Sequence, residues 1–233
     1  MTVLMGIATR LRLARLLMIT DLRSPDLADF VAATVSAGVD IVQLRDPRAD
    51  ADALAAGFTT ANAHLTSRDA LLGLYDEVEL AQAAKADLLQ LSERGAASSA
   101  ARAVVHPWAL LGRSCHSRSQ VDAALADPEV NFLTVGPVVG GLPGMGGLDL
   151  IGHAASVAPP TDPAAKPWFA VGGVTMENLE EVLAAGARRV AVSRAITAAD
   201  DPAEAAGALK ARLIRAWKDD PGMEKVTFAA FRS

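Results

Sequence analysis

Eight short apolar runs alternate with Ala-rich segments of helical composition along a chain of 233 residues, and this predicts an α/β fold, a (β/α)8 TIM barrel. The runs cover residues 13–20, 39–45, 70–75, 86–91, 108–114, 132–139, 168–171 and 189–192. Strands alternating with helices argue parallel βαβ units, and eight units suit a barrel, whose usual size is about 250 residues. The competitor is a doubly wound open sheet, which usually carries G-x-G-x-x-G after its first strand. Here the first run leads into Thr20-Asp21-Leu22-Arg23-Ser24, with no glycine.

Between the runs, residues 27–37, 49–65, 77–85, 117–126, 176–186 and 203–218 read as helices. Asp26 is a plausible N-cap for the first of these and Gly38 its C-cap. Thr175 precedes a helix whose first turn holds Glu177 and Asn178 and which ends at Gly186. Residues 159–166, rich in Pro and Ala, read as a loop. The whole chain, 1–233, is expected to be one domain, with a peripheral tail from about Asp219.

Composition narrows the function classes. Half of the residues (51%) are hydrophobic, which excludes a disordered chain, and aromatics are only 4%, so the core must be small and aliphatic. Lys and Arg number 22 against 27 Asp and Glu, a net charge of −5, so no nucleic-acid partner is expected. One cysteine and four histidines offer neither a disulfide framework nor a Cys/His metal spacing. No apolar run reaches about 18 residues, so no membrane span is expected. The basic start lacks a cleavage site after a long apolar core, so a cytoplasmic protein is expected.

In a barrel the chemistry sits at the C-terminal ends of the strands. On strand two, Gln43 and Arg45 share one face and Asp46 lies on the other. Either the pair binds a ligand or it joins a structural network with Asp46 or Asp40. Strand three ends at Asp76, whose carboxylate suits Mg²⁺ with substrate phosphates or an N-cap for the next helix. Ser114 and His116 share a face after strand five and suggest a phosphate or proton-transfer site, with Cys115 buried on the opposite face. Gly172-Gly173 after strand seven and Ser193-Arg194 after strand eight sit where barrel enzymes bind phosphate. The alternative for Gly-Gly is a tight turn. The glycine-rich stretch 136–147 reads as a lid.

Over nearly its full length the chain resembles the thiamine-phosphate synthase/TenI family, and its last third looks most like actinobacterial members. The residues that carry this are Thr20-Asp21, Val42-Gln43-Leu44-Arg45-Asp46, Tyr75-Asp76, Gly112-Arg113-Ser114-Cys115-His116-Ser117, Val135-Gly136-Pro137, Trp168-Phe169-Ala170-Val171-Gly172-Gly173 and Ser193-Arg194-Ala195-Ile196. The resemblance implies the barrel fold and a synthase that joins hydroxymethylpyrimidine diphosphate to thiazole phosphate, releasing pyrophosphate. It implies that Gln43 to Asp46 and Tyr75 face the pyrimidine diphosphate, that Asp76 holds Mg²⁺, and that Ser114 contacts the diphosphate. Gly172, Gly173, Ser193 and Arg194 would hold the thiazole phosphate, and Arg45, Ser114 and His116 are the candidate catalytic groups. The implied partners are these small phosphorylated substrates, with a homo-oligomer left open.

The departures from the family pattern fall on the diphosphate half. Pro47 stands where a Lys is usual, Tyr75 where an Asn is, and Gly95 where a second Mg²⁺ carboxylate is. Glu93, two residues away, is the candidate substitute, and Gly141, Leu142, Pro143 and Gly144 replace a Thr-Pro-Thr-Lys segment. Arg94 and Arg113 would restore positive charge if they point inward. Three readings follow: a synthase weakened at its diphosphate site, a TenI-like thiazole tautomerase using His116, and a non-catalytic protein that binds phosphates of the same pathway.

Overall fold

A computed structural model describes residues 6–23, 26–65, 70–140 and 146–232. Eight parallel strands close into a barrel in chain order: β1 (Leu16–Thr20), β2 (Ile41–Leu44), β3 (Leu71–Tyr75), β4 (Leu88–Leu91), β5 (Leu110–Cys115), β6 (Phe132–Val135), β7 (Trp168–Val171) and β8 (Val190–Val192). Strand β8 pairs back onto β1, Ala191 opposite Leu17. The helices among the described residues are α1 (Ile7–Leu13), α2 (Leu27–Ser36), α3 (Ala51–His64), α4 (Val78–Ala83), α5 (Ser98–Val104), α6 (Arg118–Ala126), α7 (Leu148–Val157), α8 (Leu179–Ala184), α9 (Arg194–Thr197), α10 (Pro202–Asp219) and α11 (Met223–Ala230).

Period-two alternation sorts each strand's side chains between two cores. Leu17, Ile41, Leu71, Leu88, Leu110, Phe132, Phe169 and Ala191 fill the lumen. Their neighbours, among them Val42, Leu72, Leu89, Leu111 and Leu133, face the helices. Phe132 and Phe169 meet edge to face, ring centroids 6.2 Å apart, a favoured aromatic geometry that plugs the lumen. Toward the C-terminal mouth, Gln43, Tyr75, Gln90, Ser114 and Thr134 share the inward parity, beside the apolar Ile19 and Val171, so one side of the lumen turns polar.

Local capping explains several helix starts. Asp26, Asp50, Ser117 and Asp201 each accept the backbone N–H three residues on, at 3.2, 2.8, 3.3 and 2.9 Å. Gly38, at φ +119, ends α2 in a conformation that side chains rarely adopt. Most expected boundaries move by a few residues, and two of the shifts have a visible cause. Residues 7–13 are helical, so the first strand starts at Leu16 rather than Leu13, where the Arg15 and Leu16 N–H groups donate to Asp40 at 2.7 and 2.9 Å. The helix expected from Met176 starts at Leu179, because Asn178 folds its side chain back onto the preceding loop.

The N-terminal end of the barrel is closed by α1 and α11. Trp217 carries two guanidinium groups over its ring, Arg15 at 4.4 Å and Arg189 at 4.9 Å, and packs with Met223 and Val226. The tail beyond Asp219 is therefore a packed helix, with Met223 and Ala230 fully buried. No helix among the described residues is long and apolar enough to cross a membrane.

Candidate active site

The C-terminal mouth has two halves. Over β7, β8, β1 and β2 lies a cavity of about 570 Å³, lined among others by Thr20, Arg45, Gly172, Gly173, Ser193 and Arg194. Gly172 and Gly173 have φ of +91 and +75, so glycine is required at both. Their loop is held from two sides. The Val138 and Val139 N–H groups donate to the Gly172 carbonyl at 2.9 and 3.0 Å, and Asn178 Nδ2 donates to the Gly173 carbonyl at 2.7 Å. Asn178 Oδ1 accepts the Thr175 N–H at 2.9 Å, which fixes the amide's orientation. Ser193 begins the short helix α9, with Arg194 as its first residue.

Arg45 joins the halves. Its guanidinium carbon lies 4.3 Å from the Tyr75 ring centroid, within cation–π range. Gln43, one step deeper, is 1% exposed, and neither amide atom has a partner among the described residues. Asp46 faces the other way and does not line the cavity. Its carboxylate accepts the Leu22 and Arg48 N–H groups at 3.3 and 3.1 Å, tying the loops after β1 and β2 together. The Arg48 N–H, more than any other partner, holds this carboxyl below its usual range.

On the other half, Asp76 (φ +60) sends Oδ1 to the Ser92 N–H at 2.7 Å. It does not cap α4, whose cap position is Glu77. The space beside Gly95 is used by this carboxylate: a Cβ on Gly95 would sit 2.3 Å from Asp76 Oδ1. Glu93 turns away, accepting from Gln120 Nε2 at 3.1 Å and pairing with the exposed Arg94. Among the described residues, no three His, Cys, Asp or Glu side chains converge as a metal cage. Neither Arg94 nor Arg113 points inward. Arg113 spends its guanidinium on the Ser92 and Ala96 carbonyls and on Ser98 Oγ, at 2.8, 3.0 and 2.8 Å.

Ser114 is buried in the lumen wall, and Gln90 Nε2 donates to it at 3.1 Å. His116 Nδ1 lies 2.7 Å from the Gly136 carbonyl. A carbonyl only accepts, so Nδ1 carries a proton here. The His116 N–H donates to Gln120 Oε1 at 2.6 Å, which links this strand end to Glu93. Cys115 is fully buried on the opposite face, and burial pushes its thiol pKa up to about 12. The Gly141–Gly144 departures lie outside the described residues.

Residues 16–196 match the sequence profile described as Thiamine monophosphate synthase. The chain is 46% identical over 224 residues to the thiamine-phosphate synthase of Mycobacterium marinum, covering 89% of this chain and 99% of the relative. The chain belongs to the thiamine monophosphate synthase family. The thiamine-phosphate synthase of Thermobifida fusca is 41% identical over 214 residues, covering 89% of this chain and 95% of that one. In structure, the chain superposes on a thiamine phosphate pyrophosphorylase from Pyrococcus furiosus with TM-score 0.79 and 24% identity, covering 91% of this chain and 99% of the other. At that identity the superposition speaks for the fold alone, as does the TM-score of 0.62 with a 3-hexulose-6-phosphate synthase.

As a member of the thiamine monophosphate synthase family, the protein is a transferase. Three side chains at its mouth escaped the sequence reading: Gln90, Thr134 and Asn178. The first two were hidden because one polar residue in an apolar run carries no signal of its own. Register would have found them, since Gln90 pairs with Gly112 and Ser114 with Thr134 across adjacent strands.

Proposed function

We propose that the cavity over β7 and β8 binds thiazole phosphate and that the β3–β5 side of the mouth binds hydroxymethylpyrimidine diphosphate. The observation that carries this is the roughly 570 Å³ cavity with two left-handed glycines, the Ser193 hydroxyl and Arg194 along one wall. Glycines there let backbone N–H groups approach an anion, and Arg194 adds a charge-assisted contact. Arg45, over the Tyr75 ring, offers a cationic group between the two sites. The thiazole nitrogen bonds to the pyrimidine methylene carbon as that carbon's bond to the diphosphate oxygen breaks. The electron pair leaves with pyrophosphate, so holding and orienting both substrates matters more than proton transfer.

The residues fit Mg²⁺ in one form. Asp76 supplies a single carboxylate, and Mg²⁺ is commonly bound by one or two carboxylates plus substrate phosphates. Bound there, the ion would supply positive charge to the leaving pyrophosphate. Ser114 supplies a hydroxyl to the same group. With Gly95 and the outward Arg113, this half holds fewer cations and ligands than the β7–β8 half, which supports a slow synthase. The relatives carry the synthase name, which favours that reading over the tautomerase and non-catalytic ones. The −5 charge and the single buried thiol accord with work in the cytoplasm on small phosphorylated substrates.

Purified protein with both substrates and Mg²⁺ should release pyrophosphate, and release should fall when Mg²⁺ is chelated. No release above background at high enzyme concentration would overturn the proposal.

A further inference from the structure

Three side chains on adjacent strands form a hydrogen-bond chain inside the lumen. Gln90 Nε2 on β4 lies 3.1 Å from Ser114 Oγ on β5 and 3.1 Å from Thr134 Oγ1 on β6. Thr134 Oγ1 lies 3.4 Å from Ser114 Oγ. All three residues are at most 5% exposed. An amide nitrogen only donates, so both hydroxyl oxygens accept from it. Thr134 then gives its own proton to Ser114, and Ser114, accepting twice, has its hydrogen left to give elsewhere.

The amide's orientation follows from its surroundings. Gly112 opens a slot in β5, and the point where its Cβ would sit is 2.3 Å from both Gln90 Oε1 and the rim of the Phe132 ring. A ring rim carries partial positive charge, which suits an oxygen and opposes an NH₂ group. Oε1 has no hydrogen-bond partner among the described residues. The reverse orientation would orphan two N–H hydrogens, and buried N–H groups are left unpaired less often than carbonyls.

We infer that Gln90 is a positioning residue that polarises the Gln90–Thr134–Ser114 chain, so that the Ser114 hydroxyl is held as a donor toward the diphosphate of the substrate. This rests on the assignment of the diphosphate to the β3–β5 side. A hydroxyl free to rotate would donate to the ligand only part of the time. One that already accepts two hydrogen bonds has a single direction left, and this is preorganisation of the kind that favours anions.

The test is a double-mutant cycle with inorganic pyrophosphate as the probe, by calorimetry on the folded full-length protein. Ser114→Ala and Gln90→Met should each weaken pyrophosphate binding about tenfold or more, the range for a hydrogen bond to a charged group. Adding Gln90→Met to Ser114→Ala should change affinity less than about twofold, because the two act through one contact. Gln90→Glu, of equal size but accepting, should draw the Ser114 hydroxyl into donating a hydrogen bond to it and bind pyrophosphate no better than Gln90→Met. The KM for thiazole phosphate should hold in every variant. Additive losses, or parallel losses of thiazole phosphate affinity, would mean Gln90 only packs the lumen and overturn the inference. Unchanged binding in Ser114→Ala would overturn the diphosphate assignment itself, and the inference with it. If Gln90→Met does not fold, Thr134→Val reads the same chain, with a loss of about threefold or more expected on wild type and none on Ser114→Ala.

Discussion

Replacing Gly172 by alanine would place a β-carbon 2.7 Å from both Cα and Cβ of Pro137, where carbons normally keep about 3.5–4.0 Å apart. Pro137 Cα is backbone, so no side-chain rotation relieves the contact. The position also has φ +91, and a left-handed conformation costs a residue bearing a Cβ roughly 1–2 kcal/mol. Overpacking at a rigid contact typically adds about 1–3 kcal/mol. The two together give a loss of about 2–5 kcal/mol, which in a chain of this size lowers Tm by roughly 4–20 °C. The Gly172 carbonyl accepts from Val138 and Val139, so the shift should reach the loop that walls the phosphate cavity and weaken thiazole phosphate binding.

Scanning calorimetry and titration with thiazole phosphate measure both effects, and Gly207→Ala is the control. Gly207 lies inside α10, and its added Cβ would meet only the Ala37 carbonyl oxygen, at an ordinary 3.8 Å. Alanine there should stabilise the protein by about 0.5–1 kcal/mol, because helical glycine is entropically costly. A Gly172→Ala protein that melts within about 2 °C of wild type and binds thiazole phosphate normally would refute the reasoning about this loop.

Gly95→Asp should set a second carboxylate against Asp76, lowering Tm in chelator and recovering it in millimolar Mg²⁺, whereas wild type without substrate should respond little; thermal melts with and without the ion decide this. Cys115, its thiol pKa near 12, should resist alkylation at pH 8 in the native protein and react fully in urea, as mass spectrometry of labelled samples would show. The Asp46 carboxyl has a depressed pKa, so its contribution to stability is complete above the ordinary aspartate value of about 4 and is lost as pH falls through the folded value. Asp46→Asn should therefore flatten the acid limb of stability measured by urea unfolding between pH 6 and 3, and an unchanged limb would count against the role given to the Arg48 N–H.

What the sequence discloses depends on how locally each feature is encoded. Strand number and order follow from period-two apolar runs, and each strand end projects its polar residues where barrel geometry demands. The β7–β8 wall of the mouth was legible because its parts are short contiguous words, Gly172-Gly173 and Ser193-Arg194, whose backbone consequences are local. The β3–β5 side resisted because its decisive relations are between strands. That Arg113 turns outward to Ser92 and Ala96 follows from strand parity, yet its three acceptors come from the β4–α5 loop and the start of α5. That Asp76 binds a backbone N–H rather than capping α4 depends on the space left by Gly95, nineteen residues on. The same holds for the lumen chain, where Gly112 matters through the room it leaves for Gln90 on the neighbouring strand. Glycine is thus read in two ways here. After β7 it reports a backbone conformation, visible in one dimension. On the β3–β5 side it reports the absence of a side chain, and what occupies that space becomes legible only once the barrel has closed.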